Sequence, residues 1–446
     1  MTSLEPIDHA DERSATNGTD ITLKTIAQYF LCSRTAILSL AENSRTVWLG
    51  LLFVISAGFA REYDGEDLWS EPWHLLLPFV ASLVTSLLLF VLVYLLSLRR
   101  HAHVKSVFSS YRTFLGLYWM TAPLAWLYAI PVERFLSAAA AVEVNLWLLG
   151  IVALWRVSLI IRVITVLFNA RIETVLPVVL LFADSVLLFL LAYMPRPILN
   201  VMGGVRMTES ERTLASVTLF VQAIGMLAYP FWVIGSGIVF CFGQPAWLYH
   251  ASTGDGSRKI RPSVWAVALL SILIWSFILP MTQPEQRIRF QVERALRAGR
   301  LPEAIVMMRA HRIDEFPPHW DPPPRLGYHE STPRIMDLVE IVNDGPDDWV
   351  RHVYLEKFQR QFFDKHFWNS PLREMQDDER LKVLNVFESL LDDGKTLSDP
   401  ESVYYLLLSL LEFKESDGNN LEVRPIKNEV REKAKNLVTR LMKKPG

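Results

Sequence analysis

The chain has 446 residues, of which 51% are hydrophobic, and its mean hydropathy is +0.22. Water-soluble proteins of this length rarely have so apolar a composition, which argues against an entirely soluble protein. The formal net charge of −2 argues against a nucleic-acid-binding protein that works by bulk electrostatic attraction.

The chemistry-bearing motifs of common enzymes are missing from this sequence. It has no Ser nucleophile elbow, no phosphate-binding loop and no His-Glu-x-x-His zinc motif. Its two cysteines, Cys32 and Cys241, are poor candidates for a disulfide, and no Cys-x-x-Cys pattern exists. We therefore expect no cofactor, and we do not expect an enzyme.

The first 46 residues form a polar tail followed by a candidate amphipathic helix. Residues 1–22 are polar, whereas residues 21–40 mix apolar side chains with Lys24 and Arg34 at helical spacing. Two interpretations remain open for residues 21–40. The helix lies in the membrane interface, or it packs in solvent against another part of the protein.

The segment from Trp73 to Arg100 organises the chain. Residues 75–98 carry no charge, and as a helix they are long enough to cross a hydrocarbon core of about 30 Å. Apolar segments of this kind recur from residue 47 to residue 281 and predict a transmembrane helical block. The seven predicted spans cover residues 47–60, 75–98, 114–130, 136–161, 174–194, 214–242 and 263–281.

The charges of the loops predict the orientation. The face that contains Arg99, Arg100 and Arg261 is richer in Lys and Arg than the opposite face, so we place it in the cytoplasm. The amino terminus is then cytoplasmic, and seven spans place the carboxy-terminal domain outside the plasma (inner) membrane of a bacterium-like cell. The first span is short, and if it only dips into the interface, the domain lies in the cytoplasm instead.

Residues 282–446 are hydrophilic and have helical patterns throughout. A proline-rich linker, residues 316–325, interrupts these patterns, because proline lacks an N–H group and disfavours helix in the residue before it. Asp and Ser begin several of the segments, as expected of helix caps. The sequence thus predicts an all-α protein: a polytopic membrane block with a soluble helical domain.

A polar layer inside the membrane block is the first candidate site. The predicted ion or solute path consists of Asp184, Glu143, Asn145, Gln222 and Thr121. An ionisable side chain inside a bilayer costs several kcal/mol, so it usually faces the bundle interior or a wet cavity. We favour the interpretation that these residues hold helices together by hydrogen bonds over the interpretation that they transport an ion.

Two further groups of residues are candidate sites. An acidic loop on the predicted outer face contains Asp64, Glu66, Asp67, Glu71 and His74. These side chains could bind a hard cation, but we favour the interpretation that the loop is simply solvated. A docking surface for the outer domain is a third interpretation. Basic residues at the cytoplasmic edge are predicted to contact lipid; they are Arg99, Arg100, Arg156 and Arg162.

The function expected from these patterns is binding or scaffolding. The membrane block would position the helical domain against a protein partner, with the lipid bilayer as the other partner and no nucleic acid. Transport of an ion or small solute through the polar layer is the alternative, and a membrane-embedded enzyme is the second alternative. The sequence does not indicate the oligomeric state.

Overall fold

The computed structural model describes residues 20–62, 68, 70–98, 107–193, 209–242, 259–282, 284–318, 320–323, 335–344, 346, 348–364, 375–392, 403–404, 407–408, 411 and 426–443. These residues are overwhelmingly helical, and they include no β-strand. One isolated β-bridge joins Ile21 to Ile260. The described chain divides into two compact units, residues 20–193 with 209–290, and residues 291–443.

The first unit contains two short amino-terminal helices followed by long apolar helices. These are α1 (Leu23–Phe30), α2 (Arg34–Ala41), α3 (Thr46–Glu62), α4 (Leu76–Leu98), α5 (Val107–Trp119), α6 (Ala138–Leu167), α7 (Ile172–Tyr193), α8 (Glu209–Phe242) and α9 (Pro262–Thr282). Short 3₁₀ helices lie at Pro72–Leu75, Ala122–Ala129 and Val132–Arg134. Helix α10 (Pro284–Arg297) contains the boundary between the two units.

Five segments of the described chain are long and apolar enough to cross a membrane. They are Pro72–Leu95, Val107–Arg134, Ala138–Leu167, Ile172–Ala192 and Arg212–Phe242. Two shorter apolar helices, Thr46–Ala60 and Pro262–Phe277, accompany them. The protein therefore has the architecture of a helical, membrane-embedded protein.

The predicted third span differs from the structure in its local geometry. The sequence predicts one helix over residues 114–130, whereas α5 ends at Trp119 and a 3₁₀ helix continues the segment. Pro123 explains the change, because its ring would clash with the carbonyl of an α-helix four residues earlier and it has no N–H group to donate.

Local chemistry explains where the amino-terminal helices begin and end. Thr22 and Thr25 form a reciprocal capping box that satisfies the first free N–H groups of α1. Cys32 ends α1 in the left-handed region, with φ of 61°, and its N–H group donates to the Tyr29 carbonyl. The tight turn sends α2 back beside α1, and both helices pack in the buried core of this unit.

The second unit is built from helices that pack one after another. Helix α11 (Leu301–Arg309) follows α10 after a turn at Gly299, whose φ of +72° suits glycine. In the described residues, the unit continues with α12 (Ile335–Asp344), α13 (Trp349–Asp364), α14 (Asp377–Asp392) and α15 (Asn428–Lys443). Helix α12 packs on α13 and α14, and α14 packs on α15.

Candidate functional site

Asp184 is the buried ionisable residue of the predicted polar layer, whereas Glu143, the other ionisable residue of that layer, is exposed. It lies on α7, and only 8% of its surface is exposed. A methyl group placed on Gly225 of α8 would lie 2.8 Å from Asp184 Oδ1, so the carboxyl group packs directly against a glycine backbone. Its second oxygen, Oδ2, has no hydrogen-bond partner among the described residues.

The other four residues of that layer form no hydrogen bond with Asp184 in the described part of the chain. Asn145 donates to Glu133 Oε1 at 2.6 Å, and Thr121 donates its hydroxyl hydrogen to the carbonyl of the preceding turn at 2.7 Å. Glu143 is exposed and Gln222 is half-buried. Among the described residues, no hydrogen bond joins any two of the five predicted residues. The structure therefore does not bring them together as one hydrogen-bonded site.

Sequence reasoning missed a row of hydrogen bonds between α4 and α5. Hydroxyl groups on α4 meet the polar atoms of aromatic side chains on α5 at 2.9–3.2 Å; the pairs are Ser82 with Trp119, Thr85 with Tyr118, and Ser86 with Tyr111. The signal was present in the sequence, because positions 82, 85 and 86 fall on one face of a helix. These contacts hold two apolar helices together by polar bonds.

The acidic loop that the sequence offered as a cation site is described in part. Several predicted site residues lie outside the described residues: Asp64, Glu66, Asp67, Arg99 and Arg100. Of the loop's remaining members, His74 Nε2 lies 3.0 Å from Glu71 Oε2, so these two side chains bond to each other. The described part of the chain contains no group of three His, Cys, Asp or Glu side chains that could hold a metal ion.

The two described arginines of the predicted lipid-facing set are held against other side chains and backbone of the first unit. Arg162 donates from Nε to the Cys32 carbonyl at 3.2 Å. The Arg156 guanidinium carbon lies 4.9 Å from the centre of the Tyr118 ring, which is a cation–π contact. Both side chains are half-buried.

In the second unit, residues 316–318 and 320–323, here called the proline segment, are fixed against α13. The ammonium group of Lys357, which is only 2% exposed, donates to the Pro322 carbonyl and lies 2.8 Å from Asp321 Oδ1. The Tyr354 hydroxyl donates to the Pro323 carbonyl at 2.7 Å. A buried cation needs such acceptors, so the segment is an integral part of this unit.

Aromatic rings of the proline segment and α13 form a surface groove. Phe316 and Trp320 stack with ring centres 4.4 Å apart, and Trp349 lies 5.4 Å from Phe316. The groove has a volume of about 340 Å³, and Ile313, Pro317, Pro318 and Val353 are among the residues that line it.

The indole N–H groups of the two groove tryptophans are already bonded within the unit. The indole N–H of Trp320 donates to Glu293 Oε1 at 2.9 Å, and that of Trp349 donates to the His311 carbonyl at 3.0 Å. The two indoles therefore offer carbon surface to a ligand. Among the described residues that line this groove, Asp314 is the only one with a charged side chain.

Comparisons with protein-family models, with curated proteins and with solved structures found no match to this chain. The class of the protein therefore follows from its own architecture, which is that of a helical, membrane-embedded protein with a second helical unit.

Proposed function

We propose that this protein is a membrane-anchored binding protein whose second unit, here called the helical unit, docks a partner protein in the groove beside the proline segment. The observation that carries this proposal is the aromatic groove itself. Its walls are rings and prolines, and buried contacts from Lys357 and Tyr354 hold it in place. A preformed groove loses little conformational entropy when it binds.

The chemistry of the groove defines the partner segment. Prolines contribute no N–H donors and the indole N–H groups are occupied, so binding relies on contact between apolar surfaces. Asp314 stands at the groove with its side chain more than half exposed, and Arg312 pairs with its carboxylate at 2.6 Å. The fitting occupant is therefore an extended segment that presents apolar side chains to the rings and prolines.

Selection from a random peptide library on the purified full-length protein tests this proposal. A matched pair of variants provides the control, because Ile313 in the groove is 56% exposed and Val306 on α11 is 67% exposed and lies outside the groove lining. Ile313→Lys should weaken binding of the best selected peptide about tenfold or more, because a charge replaces an apolar side chain in the groove and must be desolvated when the peptide binds. Val306→Lys should leave the affinity unchanged.

Two results would count against a docking role for the groove. One is a selection that enriches no class of peptide over a surface without protein. The other is an equal effect of the two lysine variants, which would place the bound peptide elsewhere.

The proposal includes seven spans, with α3 and α9 crossing as well as the five longer segments. Ile21 exchanges backbone hydrogen bonds of 3.0 Å with Lys259 and Arg261, which supports a common side for the amino-terminal segment and the start of α9. Six crossings between these points return the chain to its starting side, whereas five do not. This contact therefore supports α3 as a span.

A second contact supports the opposite side for the chain that follows α9. Arg134, which precedes α6, forms an ion pair with Glu285, which follows α9. With the amino terminus in the cytoplasm, the helical unit lies on the outer side of the plasma membrane.

Reporter fusions that mature on one side of the membrane test this topology. A reporter after Gly446 should report outside, and the same reporter after Arg100 should report inside. If both report inside, one crossing is wrong and the helical unit is cytoplasmic.

Transport is a second candidate, and the buried Asp184 carboxyl group with an unpartnered oxygen favours it. A carboxyl group there can carry a proton. Proton flux into liposomes that contain the purified protein, followed with a pH-sensitive dye, should be lost in Asp184→Asn and retained in Glu143→Gln, since Glu143 is exposed. Full flux in Asp184→Asn, or no flux in the unmodified protein, would remove this candidate.

A further inference from the structure

Arg156 lies where α6 changes from an exposed apolar surface to a buried one. Helix α6 has 30 residues and is about 45 Å long, which exceeds the hydrocarbon thickness of about 30 Å. Before Arg156, large apolar side chains such as Trp147 and Leu154 are exposed, and after it, most side chains from Leu159 to Leu167 are buried. Arg156 therefore lies beside an exposed apolar surface of its own helix.

Among the described residues, no acidic side chain pairs with the cation at this position. Nε of Arg156 is shielded from solvent and has no hydrogen-bond partner, and no described side chain forms an ion pair with this arginine. Its guanidinium group is held over the ring of Tyr118, whose hydroxyl lies 3.1 Å from Thr85 Oγ1. A half-buried guanidinium has lost part of its hydration, and the ring alone replaces only a fraction of it.

The end of α1 forms the other side of this position. Trp155 donates its indole N–H to the Phe30 carbonyl at 2.9 Å, and Arg162 donates to the Cys32 carbonyl at 3.2 Å. Trp155 still exposes 38% of its surface, as tryptophans at a membrane interface commonly do. The arginine is therefore held in a fixed place between α1, α5 and α6.

From this arrangement we infer that Arg156 binds the phosphate group of an anionic phospholipid, with the Trp155 ring beside the lipid. The guanidinium group presents several N–H donors in a planar fork, which fits two phosphate oxygens at once. The exposed apolar side chains beside Arg156, Leu154 and Trp155, favour a lipid over a soluble anion, because the acyl chains of a lipid can pack on them while its phosphate meets the guanidinium group. This inference is independent of the proposed docking groove.

Titration of the detergent-purified full-length protein with phosphatidylglycerol, with native mass spectrometry as the readout, tests the inference. Arg156→Met should weaken the first bound lipid about tenfold or more, because charge-assisted hydrogen bonds to phosphate are lost. Arg171→Met is the matched control, because Arg171 is exposed in the turn between α6 and α7. It should bind the lipid as the unmodified protein does.

Further arms of the experiment separate the alternatives. Displacement of the lipid by excess inorganic phosphate would overturn the assignment to a lipid, and equal lipid affinity in the Arg156 and Arg171 variants would overturn the site. If Arg156→Met gives no folded protein, melting temperatures of the unmodified protein and of Arg156→Lys test the inference instead. The melting temperature of the unmodified protein must rise when phosphatidylglycerol is added, and it must rise less in Arg156→Lys, which keeps the charge but loses the fork.

Discussion

Replacement of Gly50 by alanine should destabilise the first unit, because α3 and α5 cross at this glycine. A methyl group on Gly50 would lie 2.8 Å from the Cβ atom of Trp119 and 3.0 Å from the carbonyl oxygen of Gly116. Neither atom can move by a simple side-chain rotation, since one is a Cβ atom and the other belongs to the backbone. The two helices must therefore separate to accept the methyl group.

The size of the effect follows from two opposing contributions. Overpacking of a well-packed contact costs about 1–3 kcal/mol. Alanine in place of glycine in a helix interior returns up to about 1 kcal/mol. Gly150 on α6 provides the control, because a methyl group there would have no atom within 4 Å. The helix-propensity gain is common to both variants, so Gly50→Ala should be less stable than Gly150→Ala by about 1–3 kcal/mol.

The assay is unfolding of the full-length protein in detergent micelles, with helix content followed by circular dichroism for both variants in parallel. We expect Gly150→Ala to match or exceed the unmodified protein and Gly50→Ala to fall below it. Equal stability of the two variants would refute the close crossing of α3 and α5, and it would weaken the case for α3 as a packed span.

Three further predictions concern single side chains. Lys357→Met should lower the free energy of unfolding by about 1–3 kcal/mol, because the proline segment loses the buried ammonium donor of this lysine. The control Lys435→Met, at an exposed position, should change the free energy of unfolding by less than about 0.5 kcal/mol. Denaturant unfolding of both variants measures the difference. Tyr29→Phe should lower the free energy of unfolding by about 1–2 kcal/mol in the same assay, because the buried Tyr29 hydroxyl donates to the Leu117 carbonyl at 2.6 Å. Burial raises the pKa of this hydroxyl, so it stays neutral and keeps its proton to donate. An unchanged stability would refute this bond. A hydrogen bond from His311 lowers the pKa of the Glu315 carboxyl group in the folded protein. The ionised carboxylate therefore stabilises the fold above the unfolded-state pKa of about 4.3, and this stabilisation is lost as the pH falls through the lower folded-state pKa. In Glu315→Gln, the free energy of unfolding measured against pH should lose this dependence.

The helical class and its uneven composition could be predicted from the residues alone. Apolar runs such as Leu76–Leu98 have to satisfy their backbone within one helix when they enter a bilayer, so their length and composition predict the element. In residues 282–446, the hydrophilic helical patterns predicted helices, and helices such as Asp377–Asp392 are present there. The end of α5 at Trp119 was missed, although Pro123 carried the signal.

The candidate sites could be predicted only in part. The burial of Asp184 was expected from its place in an apolar run, yet its contact with Gly225 joins residues from two different helices. Likewise, the prolines predicted an extended linker, but only the structure places Lys357 under it and Trp349 beside it.

The sequence by itself determined that this protein is helical, that much of it is apolar enough for a membrane, and where most helices lie. Those properties depend on hydrogen bonds and hydrophobicity within short stretches of chain. Only the tertiary structure decided that Arg156 stands over Tyr118 and that the proline segment packs on α13. Such contacts depend on how distant segments pack, and packing depends on the shapes of many side chains at once.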